Sequence, residues 1–131
     1  MKTLIVEDDF TSRLLLQELL KQHGPVHIAV NGKEAVEAVR LALEANEPYD
    51  FICLDIMMPE MDGQQALRHI RELEAGKGLL SANAAKIVMT TALNDMKNVC
   101  HAYAGLCDSY LVKPIEKTKL GQELRKLGLL Y

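Results

Sequence analysis

Short apolar runs alternate with longer amphipathic stretches along the whole chain. "TLIV" (3–6) is a compact apolar run closed by acids, as in a buried strand. "TSRLLLQELLKQHG" follows with Leu15, Leu16, Leu19 and Leu20 at helical spacing, Thr11 as a hydroxyl cap and Gly24 as the stop. "VHIAV" (26–30) predicts a strand closed by Asn31-Gly32, and "KEAVEAVRLALEAN" puts Ala35, Val36, Val39 and Leu43 on one helical stripe. "DFICLDI" is a strand apolar on both faces, and "QQALRHIREL" is a helix through Leu67, Ile70 and Leu73. "AGKGLLSANAA" interrupts as a mobile loop carrying Gly76 and Gly78. After it come a strand "KIVMTTA", a helix "DMKNVCHAYAG", a strand "SYLV" and a last helix "KTKLGQELRKLGLL".

The pattern is five β-α units without a repeat or low-complexity break. Near-continuous apolar strands interleaved with helices predict an α/β fold, a doubly wound parallel sheet covered on both faces. Crossovers in such sheets are right-handed, and ligands sit beyond the carboxyl ends of the strands. The residues that end the strands should therefore converge. They are Glu7-Asp8-Asp9, Asp55, Thr90-Thr91 and Lys113-Pro114.

Composition narrows the picture. The 131 residues suit one domain with a real core, and 49% hydrophobic with 25% charged residues is ordinary for a globular protein. A formal net charge of −3 argues against nucleic-acid binding through the bulk surface. No apolar run approaches the ~18 residues that span a bilayer. "MKTLIVEDDF" has too short an apolar run for a signal peptide, so the expected location is cytoplasmic, away from membranes. Cys53, Cys100 and Cys107 form no CxxC and read as small apolar residues in a reducing compartment. His23, His27, His69 and His101 are scattered, with no zinc-ligand spacing.

The strand ends carry the candidate chemistry. Asp55 ends the apolar run "FICL" and precedes "IMMPEMDG", and a buried carboxylate is costly unless something charged meets it. Three carboxylates at one sheet edge repel unless a cation sits among them, and an oxygen-only set suits Mg²⁺. A carboxylate beside such an ion can be a nucleophile that forms an aspartyl-phosphate. Asp55 is then the acceptor, Asp8 a metal ligand, Lys113 a counter-charge for phosphoryl oxygens and Thr91 a hydroxyl donor. Each feature alone has a plainer explanation: acids favour helix N-termini, Asp62-Gly63 is a turn, and Lys113-Pro114 terminates a strand. Their placement at successive strand ends is what points to a site. Strand offset alone leaves open whether Glu7-Asp8 or Asp8-Asp9 is the working pair.

From "LIVEDD" through "LDIMMPEMDG" and "MTTA" to "YLVKP", the sequence closely resembles the response-regulator receiver family, of the small chemotaxis-regulator type. The resemblance covers essentially the whole chain. It implies a five-stranded domain of order 2-1-3-4-5, a single receiver over 1–131 without an output domain. It also implies phosphorylation on Asp55 by a sensor histidine kinase or a histidine phosphotransfer protein. On this basis Glu7 and Asp8 form the acidic pair, with Mg²⁺ (or Mn²⁺ in its place) held by Asp8, Asp55 and the Met57 backbone carbonyl, and by Glu7 through water. Thr91 and Tyr110 are the switch residues, Lys113 is the family lysine, and Pro114 follows a cis bond. Met57 and Leu93 occupy the positions that tune the lifetime of the phosphorylated state. Output should be protein–protein contact through the fourth helix, fifth strand and fifth helix, or onward phosphotransfer, from a monomer or weak dimer.

Several positions depart from the family pattern. Glu7 replaces the commoner Asp, and Ile115 stands where an aromatic is more usual. Leu106 occupies the place of a glycine four residues before Tyr110, with Gly105 one earlier. The rival reading is an aspartyl-phosphate phosphohydrolase. Such enzymes carry a second carboxylate two residues after the nucleophile as general acid and base, and here that residue is Met57. The chain is therefore expected to be a phosphoacceptor rather than an enzyme acting on other substrates.

Overall fold

The computed structural model describes residues 1–58, 61–79, 83–92 and 106–130. Five strands, β1 (Thr3–Val6), β2 (Val26–Ala29), β3 (Phe51–Asp55), β4 (Lys86–Thr91) and β5 (Ser109–Val112), form one sheet of order β2-β1-β3-β4-β5. Every ladder is parallel. The described helices are α1 (Phe10–Leu20), α2 (Gly32–Glu44), α3 (Gly63–Gly76) and α4 (Lys117–Lys126), with a 3₁₀ turn at Lys21–His23. The helix expected over 95–105 lies outside the described residues, as do Leu93, Cys100, His101 and Gly105. Among the described residues no helix is long and apolar enough to cross a membrane.

The two-residue period of the strands builds a core on each side of the sheet. Leu4, Val6, Ile52, Leu54, Ile87 and Met89 face α2 and α3, packing with Val39, Leu67 and Ile70. The intervening Ile5, Cys53 and Val88 face the other way, against Leu16, Leu20, Leu120 and Leu124 of α1 and α4. Because β1, β3 and β4 are covered on both faces, their sequences read as apolar runs rather than alternations. Ile115, the residue after Lys113-Pro114, is buried in the second of these cores, so an aliphatic side chain fills the place of the more usual aromatic.

Three of the element ends that differ from expectation have an identifiable physical cause. The cap of α1 is Asp9, whose Oδ2 accepts from the Ser12 amide at 2.9 Å, and Thr11 is an exposed first-turn residue instead. An aspartate competes well with a hydroxyl for that position. Helix α3 runs past Leu73 to Gly76 because Glu74 is anchored: its Oε2 accepts from the Ala85 amide at 2.8 Å. The last helix stops at Lys126, where the Gly128 and Leu129 amides turn back to the carbonyls of Arg125 and Leu124.

Candidate functional site

The carboxyl ends of β1, β3, β4 and β5 meet at one edge, as the parallel register requires. Val6 pairs Leu54, Asp55 pairs Thr90, and Thr91 pairs Val112. Glu7, Asp55, Thr91 and Lys113 are thus brought together by four separate strands. One carboxylate oxygen each from Glu7, Asp8 and Asp55 lie within 4.8 Å of one another. Glu7 and Asp55 are buried, whereas Asp8 is exposed at the mouth.

Asp9 does not join this group. Its side chain is occupied by the Ser12 amide, and that hydrogen bond holds its carboxyl below the ordinary value. Of the two acidic pairs left open by the sequence, the geometry assembles Glu7 with Asp8.

Lys113 supplies the cation. Its Nζ lies 2.7 Å from Glu7 Oε1 and 3.2 Å from Asp55 Oδ1. Burial first, and then the neighbouring Glu7, push the Asp55 carboxyl up to about 7. Burial opposes ionisation of Glu7 too, but its hydrogen bonds with Asp55 and Lys113 hold its carboxyl below the ordinary value. Burial and Glu7 thus disfavour the charge on Asp55, while Lys113 favours it. Burial disfavours the charge on Lys113, yet its hydrogen bond to Glu7 and the Asp55 charge keep the ammonium protonated above its usual range. Cys53, beneath the site on β3, is pushed by burial to about 12 and is inert as a thiolate.

The remaining site residues are less closely drawn in. Thr91 is buried at the end of β4, and its hydroxyl donates to the Ala92 carbonyl at 3.2 Å. Tyr110 is half-buried beside the α2–α3 core and interacts with the Cys107 thiol. The Met57 amide donates to Asp55 Oδ1 at 3.4 Å while its side chain is 71% exposed. The Lys113–Pro114 peptide bond is cis.

Two glycines that look in sequence like turn residues alone hold the segment after Asp55 in place. A Cβ on Gly63 would stand 2.5 Å from the Asp55 carbonyl oxygen. One on Gly32 would stand 2.2 Å from the Met61 carbonyl, to which the Gly32 amide donates at 3.1 Å. Close backbone approach of this kind admits no side chain. Asp62 also caps α3 through the Gln65 amide at 2.9 Å, so "MDG" starts a helix as well as making a turn.

The donor set suits a small hard cation: oxygen ligands, with the exposed Asp8 leaving one side open to water. Among the described residues no histidine or thiol joins the cluster.

A family model described as the response regulator receiver domain matches residues 3–125. This chain belongs to that family. The chemotaxis protein CheY of Bacillus subtilis is 30% identical over 127 residues, which cover 95% of each protein. Other curated relatives are far longer: the chain spans 6% of the hybrid signal transduction histidine kinase B of Dictyostelium discoideum and 13% of the sensor histidine kinase GacS of Pseudomonas protegens. Among solved structures, the receiver domain of the Pseudomonas aeruginosa sensor histidine kinase PA1611, with magnesium coordinated in its active-site cleft, superposes with a TM-score of 0.73. It is 26% identical and covers 97% of both chains. The receiver domain of Ssk1 from Saccharomyces cerevisiae, solved with the histidine phosphotransfer protein Ypd1, gives a TM-score of 0.76. Identity is 26%, with 98% of this chain and 88% of that one covered. The receiver family is therefore reached from both sequence and fold, and the protein is a receiver domain of two-component signalling.

Proposed function

We propose that this receiver domain accepts a phosphoryl group on Asp55 from a histidine kinase or histidine phosphotransfer protein, and that the phosphorylated state changes a protein-binding surface. The observation that carries this reading is the buried Asp55 carboxylate at the end of the central strand, 3.2 Å from the Lys113 ammonium and within reach of two more acids. An Asp55 oxygen attacks phosphorus in line, the bond to the donor's histidine nitrogen breaks, and that nitrogen leaves with the electron pair. Lys113 turns from Glu7 toward the new phosphoryl oxygens, and the Thr91 hydroxyl leaves the Ala92 carbonyl to donate to one of them.

Asp8, Asp55 and the Met57 carbonyl, with Glu7 through water, are the groups that would hold Mg²⁺ or Mn²⁺. The ion, when bound, offsets the negative charge of the acids and the phosphoryl group. Asp8→Asn should weaken Mg²⁺ binding roughly tenfold or more, because one of few anionic ligands is lost. An NMR titration of the site amides measures this, and unchanged affinity would move the ligand role elsewhere.

The chemistry is confined to the chain's own carboxylate. Met57 offers no acid or base two residues beyond Asp55, so turnover of outside substrates lacks its proton carrier. Partners recognise a face that includes β5 and α4.

Thr91 and Lys113 act after phosphorylation. Thr91→Ala should shift the stability of the resting fold by no more than ~1 kcal/mol, since its hydroxyl bonds only the neighbouring Ala92 carbonyl, whereas Lys113→Ala leaves buried Glu7 without its cation and should cost more than that. Both should abolish most of the Tyr110 ring shift seen by NMR on adding beryllofluoride. A wild-type shift in Thr91→Ala would remove the switch role from that hydroxyl.

A further inference from the structure

A second ionic cluster is built at the amino ends of β4 and β5, away from the carboxylate site. Arg71 on α3 donates from Nε to the Leu106 carbonyl at 2.7 Å. One terminal nitrogen reaches Glu74 Oε1 at 2.7 Å and the Ala85 carbonyl at 2.9 Å, and the other reaches Asp108 Oδ2 at 3.1 Å. Both acids are engaged again. Glu74 Oε2 accepts from the Ala85 amide, and Asp108 Oδ2 from the Ile87 amide, each at 2.8 Å. One planar guanidinium thus joins α3, the start of β4 and the approach to β5. In sequence, Arg71 and Glu74 look like an ordinary surface pair three residues apart, yet Glu74 is almost wholly buried.

The strand it holds needs holding. β5 has four residues and, among the described residues, pairs only with β4, and short edge strands fray readily. It carries Tyr110 within it and Lys113 immediately after it. Its far end is fixed by the Lys113 amide donating to the Thr91 carbonyl at 2.8 Å. Its near end is fixed by the Arg71 cluster and by the Asp108 amide donating to the Ile87 carbonyl at 2.8 Å. We propose that Arg71 is a positioning residue. It anchors β5 from its amino end and so sets where the Lys113 ammonium and the Tyr110 ring stand relative to Asp55. It touches neither Asp55 nor the ligands of the acidic site, and it acts through the strand.

The role requires arginine's fork. A lysine at 71 still places a cation beside buried Glu74, so that acid is not stranded, but a single ammonium does not span Leu106, Ala85 and Asp108 together. Arg71→Lys should therefore fold and release β5 alone. Asp108→Asn, which keeps an acceptor for the Ile87 amide but loses the charge, should do the same to a smaller extent.

Amide hydrogen exchange on the full chain tests this, with the beryllofluoride response as a second readout that rests on the proposed role of Asp55. In Arg71→Lys, the β5 amides from Asp108 to Lys113 should exchange at least about tenfold faster, while those of β1 and β3 keep wild-type rates. The Tyr110 shift on beryllofluoride should be smaller than in wild type, because the anchor that fixes the ring relative to Asp55 is lost. A purely structural contact would instead speed exchange in all strands together. Uniform acceleration, unchanged β5 exchange, or a wild-type Tyr110 response in the variant each overturns the proposal. If wild type itself gives no beryllofluoride response, the acceptor role of Asp55 fails, and the exchange pattern alone decides the role of Arg71.

Discussion

Asp55→Asn should take up no phosphoryl group from acetyl phosphate under conditions that label wild type, and should be the more stable protein at pH 8 without divalent ions. The first effect follows from the amide, which lacks the nucleophilic carboxylate oxygen. The second follows from burial. Burial and Glu7 raise the folded-state pKa of Asp55 from the ordinary 3.8 to about 7. Between about pH 4 and 7 the folded protein keeps a proton that the unfolded chain has released, so stability falls as pH rises through that window. Glu7 works in the opposite sense. Its depressed pKa adds stability above its ordinary 4.5, which is lost as pH falls through the folded value, so the two windows barely overlap. A tenfold difference in proton affinity between folded and unfolded chain corresponds to about 1.4 kcal/mol. Rearrangement of Lys113 around the charge recovers part of the cost, so the variant should gain about 2 kcal/mol at pH 8. Denaturant melts at pH 5 and pH 8 check this: the wild-type loss of stability between them should shrink in the variant. Equal pH dependence would mean that Asp55 is already ionised at pH 5.

The phosphorylated state should be long-lived, and Met57→Asn with Leu93→Glu should shorten it by roughly tenfold or more, about 1.4 kcal/mol of barrier. Hydrolysis requires a water in line with phosphorus, and correct placement of that water is worth orders of magnitude in rate. The Met57 side chain stands free at the mouth of the site, 71% exposed, where an apolar group sheds water and orients none. Resemblance to the family gives Leu93 the companion position, two residues beyond Thr91. Asn and Glu supply the donor and acceptor that the apolar pair lacks. Decay of radiolabelled phosphoprotein after removal of the donor gives both rates. Wild-type decay within seconds, or no acceleration in the double variant, would assign the lifetime to other groups.

Much of the fold and site is legible in the chain because the signals are local. Apolar runs flanked by acids mark buried parallel strands, and the rule that strand carboxyl ends converge brings Glu7, Asp8, Asp55, Thr91 and Lys113 to one edge without any geometry. Local signals also mislead. Thr11 looks like a cap because a hydroxyl precedes a leucine run, whereas Asp9, just upstream, captures the Ser12 amide and so leaves Asp8 as the partner of Glu7. Tertiary contacts are invisible in the chain. Gly32 and Gly63 are required by carbonyls from other segments, Met61 and Asp55. Glu74 looks like one more solvated acid in a helix. It is buried because the Ala85 amide comes to it from beyond α3 and the Arg71 guanidinium folds over it.

The central claim is that the acceptor is Asp55, and locating the acyl phosphate tests it most directly. Phosphoprotein made with acetyl phosphate and Mg²⁺ is reduced with borohydride, which converts an aspartyl-phosphate to homoserine, and the modified residue is located by peptide mass spectrometry. Homoserine is expected at position 55 and at no other acid. Homoserine at Asp8 or Asp9, or a phosphoprotein in which position 55 remains aspartate, would contradict the claim.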